Sequence, residues 1–170
     1  MKNISILFIS SLFLFSFSQS NAQLRFVLNG GTQIPVSDFK NTNDLGYGGS
    51  LDIEFKLPMI GTTIFATAGY DRWKRTNTNY SNYAIPVMGG IKYFISTSGN
   101  IVSPYISAAV GITSVGNNIE NSSTESNFIW SPSIGVRISN FDFNAKFMSY
   151  STNGITISWF GINAGAVLGR

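Results

Sequence analysis

Asp52 and Glu54 are the residues best placed for chemistry, because two carboxylates at i and i+2 of a strand share one face and can divide acid and base roles. Lys56 continues that face. A lysine so close supplies a counter-charge, and the trio reads more readily as a charge-balanced plug than as a catalytic dyad. The chain has no histidine and no cysteine, so it lacks a side chain that titrates near neutral pH and a thiolate nucleophile. The expectation is therefore a protein that is not an enzyme, with no catalytic, cofactor-binding or metal-binding residues and no cofactor.

The elements that hold these residues follow from the stretch around them. Tyr47, Gly49, Leu51, Ile53, Phe55 and Leu57 fall on one side of a period-2 ribbon, with Gly48, Ser50, Asp52, Glu54 and Lys56 on the other. A slip of one residue would exchange the faces, so this strand belongs to a sheet separating an apolar medium from a polar one. Half-alternating segments of this kind recur eight times: Leu24 to Ile34, Gly46 to Leu57, Ile60 to Arg72, Asn82 to Ile95, Ile101 to Val115, Ser126 to Ile138, Phe141 to Tyr150 and Ile155 to Leu168. The connections Pro35 to Leu45, Trp73 to Ser81 and Gly116 to Glu125 are long and polar. Pro58-Met59, Ser96 to Asn100 and Ser139-Asn140 are short. Alternation of long and short places the long ones at one end of an up-and-down meander, and Asn153-Gly154 marks a last tight hairpin there. The predicted fold is all-β, an eight-stranded antiparallel up-and-down transmembrane β-barrel. Pro86, Pro104 and Pro132 each remove a ladder donor and are expected at rims or bulges.

Composition bears on which face meets water. Only 11% of residues are charged, against roughly 25% in ordinary soluble domains. Lys2 precedes an apolar run, Ile4 to Phe17, and then Ser20-Asn21-Ala22, which reads as a signal peptide over 1–22 cut before Gln23, leaving a barrel domain over 23–170. Without Lys2 there are ten basic and eight acidic side chains, a net charge of +2, which announces no nucleic-acid partner. A lipocalin-like secreted barrel has similar periodicity with its apolar face turned inward around a ligand. Its exterior needs charge at most positions, yet the polar face here offers only Arg25, Asp52, Glu54, Lys56, Asp71, Lys92, Arg137, Asp142 and Lys146 among many Gly, Ser and Ala. Five basic and four acidic groups suit a lumen in which they pair. Aromatic residues near strand ends, Tyr47, Tyr70, Trp73, Tyr80, Tyr83, Tyr93, Phe94, Trp130, Tyr150 and Trp159, suit two interfacial girdles. The densest basic run, Asp71-Arg72-Trp73-Lys74-Arg75, reads either as a clamp for lipopolysaccharide phosphates through Arg72, Lys74 and Arg75 with Trp73 at the acyl boundary, or as ordinary snorkelling at a girdle.

Tyr83 to Phe94, with Ile85-Pro86 and Lys92-Tyr93-Phe94, followed by Ser103-Pro104-Tyr105-Ile106 to Gly111, resembles the central hairpin of the small outer-membrane barrel proteins common in Bacteroidetes. That family is similar in architecture to the OmpA transmembrane domain and OmpX. The resemblance implies the cell outer membrane, insertion by the barrel-assembly machinery, contact with outer-membrane lipid and lipopolysaccharide, and a monomer. The family's assembly signal ends in an aromatic residue, whereas Asn163 to Leu168 is followed here by Gly169-Arg170. Outer-membrane barrel enzymes, the lipid A deacylases, palmitoyl transferases, phospholipases and omptin-type proteases, use a histidine that this chain does not have. The expected function is a structural or surface-interaction barrel with a side-chain-filled lumen; a small-solute pore and a secreted ligand-binding barrel are the alternatives.

Overall fold

The computed structural model describes residues 24–57, 61–78, 80–95, 101–118, 125–152 and 154–169. The expected signal peptide, the turns at Pro58-Met59 and Ser96 to Asn100, most of the Gly116 to Glu125 connection and Asn153 lie outside these residues. Eight strands follow in order: β1 (Leu24–Val36), β2 (Asn43–Lys56), β3 (Thr62–Arg75), β4 (Ser81–Phe94), β5 (Val102–Asn117), β6 (Glu125–Ile138), β7 (Phe141–Thr152) and β8 (Ile155–Leu168). Each pairs antiparallel with the next, and β8 returns to β1 in a register running from Phe26 opposite Leu168 to Val36 opposite Ser158. This is the closed eight-stranded antiparallel barrel that the alternation predicts, and closure leaves no strand edge unpaired.

The two faces sort as the polar/apolar period requires. On β2, Leu51 and Ile53 are 44% and 43% exposed while Ser50, Asp52 and Glu54 are buried. Leu28, Ile91, Val110, Ile134, Phe143 and Ile162 continue the apolar exterior around the barrel, and Lys92, Asp142 and Asn163 are buried inside. Apolar side chains wrap the outside in a continuous band, far beyond the few hundred Å² of apolar patch that a soluble monomer shows. A transmembrane barrel has this facing, and a lipocalin-like carrier has the reverse.

Departures from the expected strand ends lie mostly at the long-connection end. β2 begins at Asn43 rather than Gly46, β3 runs on to Arg75 rather than Arg72, and β1 continues to Val36 before a 3-10 turn, Ser37–Asn41. The ladder there is real: the Arg75 amide donates to the Tyr80 carbonyl and the Thr76 amide to that of Thr42, each at 3.0 Å. Beyond the bilayer both faces of a strand can be polar, so pairing continues after alternation has ended. Only Pro104, the third residue of β5, sits near a rim. Pro86 and Pro132 are internal, and neither causes a bulge. The β3–β4 ladder skips from Ala68 opposite Val87 to Asp71 opposite Ala84, and the β6–β7 ladder from Trp130 opposite Ser149 to Ser133 opposite Lys146, both resuming in the same register. Each proline lies in the skipped stretch, yet pairs on its other side, Pro86 with Thr113 and Pro132 with Ala108.

Candidate functional site

The lumen is stacked in three layers, each built from side chains that the two-residue period turns inward. Nearest the short turns lies a charged layer drawn from four strands. Arg137 of β6 reaches Glu54 of β2 through two bonds of 2.8 Å, one from each terminal guanidinium nitrogen. The same guanidinium donates to Asp142 Oδ2 of β7 at 2.7 and 3.1 Å. Lys92 of β4 lies 2.5 Å from Glu54 Oε1 and 4.0 Å from Asp142. Tyr105 donates to Asp142 Oδ1 at 2.6 Å. Aromatic rings wall the cations: Lys92 Nζ stands 4.5 Å from the Tyr105 ring centre, and the Arg137 guanidinium 5.0 Å from that of Phe94. Two anions and two cations thus balance in a region where an unpaired charge would be expensive.

Close approach depends on inward glycines. Tyr105 crosses the space that a side chain at Gly135 would need, and Asp71 does the same at Gly48. With Cβ atoms at those two positions, the interior of an eight-stranded barrel could not hold side chains of this length.

The middle layer is largely neutral and polar. Gln33 donates to Asn163 at 3.2 Å, Asn163 to Asn144 at 3.1 Å and Asn144 to Asp142 at 3.2 Å, a ladder of amides leading into the charged layer. Asn29 donates to Asp52 at 3.1 Å, and the hydroxyls of Ser107 and Ser133 share a bond of 2.5 Å. The outermost layer is aromatic. Trp73 and Trp159 meet edge to face at 5.0 Å, with Phe39 of the 3-10 turn 5.1 Å from Trp73 and Tyr150 at 6.2 Å from Trp159. Met148 and Ile129 lie fully buried in the same cluster.

Of the nine charged residues expected in the lumen, the structure brings Glu54, Lys92, Arg137 and Asp142 into contact. Asp52, Asp71 and Lys146 turn inward in the middle of the barrel, without an ion pair among the described residues. Arg25 is half-buried toward the short-turn mouth. Lys56 differs from expectation: as the last residue of β2 it is solvent-exposed at that mouth. Asp52 and Glu54 do share a face, but their partners differ, Asn29 and Ser50 for the first and two cations for the second. They are not arranged as an acid/base pair.

The placement of Trp73 at an acyl boundary is overturned, since its ring is 2% exposed and lies inside the barrel. Trp159 and Tyr150 are likewise interior rather than girdle residues. The expected end of the third strand, Arg72, falls three residues short of the observed one. β3 continues, so Trp73 must share the face of Asp71, two residues before it. Arg72, Lys74 and Arg75 are on the outside or the rim, with Arg72 donating to Ser81 at 3.3 Å. Tyr47, Tyr70, Tyr80, Tyr93 and Trp130 are exposed as a girdle requires. The amide ladder and Tyr105 are not among the charged residues that the sequence singles out; asparagine inside a strand, where it is disfavoured, is the signal for the ladder.

No protein-family model matches this sequence, and no curated protein matches it. Among solved structures, the chain is similar to Neisserial surface protein A, with a TM-score of 0.67 at 14% identity over 89% of this chain and 100% of that one. It is also similar to Ail, the attachment invasion locus protein of Yersinia pestis, solved in complex with the heparin analogue sucrose octasulfate, with a TM-score of 0.58 at 12% identity over 88% and 100%. The outer membrane enzyme PagL gives 0.58 at 15% identity over 84% and 98%. The fold is therefore that of the small eight-stranded outer-membrane β-barrels. An enzyme among these structures means that the fold by itself decides neither for nor against catalysis.

Proposed function

We propose that the protein is a monomeric, non-enzymatic barrel of the outer membrane, of the Bacteroidetes type that its central hairpin resembles. Its lumen is closed to solutes, and its role is exercised at the outer surface. In this reading residues 1–22 direct export, 23–170 form the barrel, and the barrel-assembly machinery inserts it. The carrying observation is the filled interior. Between a cavity of about 500 Å³ at the long-connection mouth and one of about 240 Å³ at the other, the middle of the barrel holds a void of about 40 Å³, room for about three waters. The small-solute pore loses support for that reason. Arg72, Lys74 and Arg75, beside the stacked rings of Tyr70 and Tyr83 at 6.1 Å, suit the phosphates and sugars of lipopolysaccharide at the outer interface.

Two measurements test this. Protein from outer-membrane fractions should migrate faster on a detergent gel before boiling than after, and planar bilayers containing it should show no regular conductance steps. Stable, sizeable single-channel steps would return the pore reading; recovery in a soluble fraction without detergent would remove the membrane one.

A further inference from the structure

The mouth at the short-turn end gathers positive charge without matching carboxylates. Five strands contribute to its wall: Arg25 of β1, Lys56 of β2, Thr63 of β3, Ser103 of β5 and Arg137 of β6. The register sets Lys56 opposite Thr63 and Ser103 opposite Arg137. Two hollows, of about 240 and about 270 Å³, share Arg25, Ser103 and Arg137, and Ser139 borders the second. They form one funnel on the inner side of the wall. Lys56 and Ser139 are exposed and Arg25 and Ser103 are partly exposed, so this lining is open to water.

No aspartate or glutamate lines either hollow among the described residues. The sequence places none beside the short turns either, since 56–63, 93–105 and 137–141 contain no acidic residue. Glu54 and Asp142 lie below the mouth and are engaged by Arg137 and Lys92. The charged layer and the mouth together therefore hold four cations, Arg25, Lys56, Lys92 and Arg137, against two anions, Glu54 and Asp142, an excess of two positive charges. Further in, Asp52 and Lys146 border one small void and offset each other. A cleft lined by one sign of charge between low-dielectric walls focuses its field and concentrates counter-ions.

Arg137 supplies field more than contact, because its nitrogens already donate to Glu54 and Asp142. Contact falls to the Arg25 guanidinium, the Lys56 ammonium and the hydroxyls of Ser103 and Ser139. A guanidinium can hold two phosphate oxygens at once. A phosphate ester brings close to two negative charges and three acceptor oxygens, whereas a carboxylate brings one charge and two oxygens. The dianion matches the excess. Lipid headgroups lie outside the wall and these residues line its inner side, so the anion must come from the aqueous phase.

We propose that the short-turn mouth is a binding site for a small soluble phosphate monoester in its dianionic form, held by Arg25 and Lys56 over the positive field of Arg137. The site goes beyond the surface role proposed above and depends on the outer-membrane reading only for its compartment, the periplasmic side.

The test is calorimetric titration of glycerol phosphate into the purified protein, folded in a phosphate-free maltoside detergent at low salt. Saturable binding at one site is expected near neutral pH. Lys56→Gln, at an exposed position, should keep the heat-dependent gel shift and weaken binding about tenfold, as loss of a charged hydrogen bond does. Arg25→Gln should weaken it at least as much. Lys40→Gln makes the same change of net charge at the exposed 3-10 turn of the opposite end and should leave binding unaltered. Lowering the pH from about 7.5 to about 5 should weaken the ester about tenfold, because its second proton binds with a pKa near 6 and leaves a monoanion. Sulfate keeps both charges and should change little. Absence of saturable heat up to roughly 50 mM ester, well past a millimolar constant, overturns the proposal. An equal effect of Lys40→Gln overturns it too, by reducing the attraction to net charge, as does an equal pH effect on sulfate. Displacement of the ester by phosphatidylglycerol added to the micelles would give the site to a lipid headgroup and overturn the soluble ligand. Fractionation tests the outer-membrane reading separately, so failure of one is distinguishable from failure of the other.

Discussion

Replacing Glu54 by glutamine removes one negative charge from a layer in which two carboxylates and two cations balance, with hardly any change in volume. Glu54 is 1% exposed, accepts both terminal nitrogens of Arg137 at 2.8 Å and lies 2.5 Å from Lys92. At an effective dielectric near 20, a unit pair at about 4 Å is worth roughly 4 kcal/mol. Breaking a buried pair by removing one partner costs about 3–5 kcal/mol, because the charge left behind is neither hydrated nor neutralised. Glu54→Gln leaves Lys92 facing an amide, while Arg137 keeps Asp142. A loss of about 4 kcal/mol with a urea slope near 2 kcal/mol per molar lowers the unfolding midpoint by about 2 M. The assay is urea unfolding in lipid vesicles, followed by the fluorescence of Trp73, Trp130 and Trp159. Lys92→Met alone should be similarly harmful, but the pair Glu54→Gln with Lys92→Met restores neutrality and should recover most of either loss. A single Glu54→Gln midpoint equal to that of the unsubstituted protein, or a double variant as unstable as the sum of the singles, would refute the reasoning that mutual neutralisation holds this layer.

On the opposite face, Leu51→Arg should cost about 2–4 kcal/mol in vesicles, since it puts a cation against the lipid band, as the same unfolding assay would report. Lys56→Ala should change stability by less than about 0.5 kcal/mol, because that ammonium is exposed at the mouth; a large loss by the same measurement would mean that it is paired in the lipid-embedded protein. Gly135→Val fills the slot that Tyr105 occupies and should cost about 1–3 kcal/mol through overpacking. Near-ultraviolet circular dichroism should lose the Tyr105 environment in that variant, and the further change Tyr105→Ala should restore room without restoring the bond to Asp142.

The period of two, read along Tyr47 to Leu57, determined most of the fold. It set the number of strands, their alternating direction and the turning of Asp52 and Glu54 away from Leu51 and Ile53, because one face of each strand had to match a different medium. Scarcity of charge on the polar face then determined that this face is the lumen. The charged residues themselves could be named in advance, but not their partners. Glu54 meets Lys92 from 38 positions away and Arg137 from 83, and such contacts depend on shear and tilt around a closed barrel, which alternation along one strand does not encode. The same holds for Trp73 and Trp159, brought together from β3 and β8 to close the outer end of the lumen. Their inward facing followed from parity once the true end of β3 was known, while their contact arose only when the barrel closed. Pro86 and Pro132 teach a related point: a strand can lack a donor at its centre when the gap faces one neighbour and the other ladder holds the register. Local chemistry determined which way each side chain points, and closure of the barrel decided what each one meets.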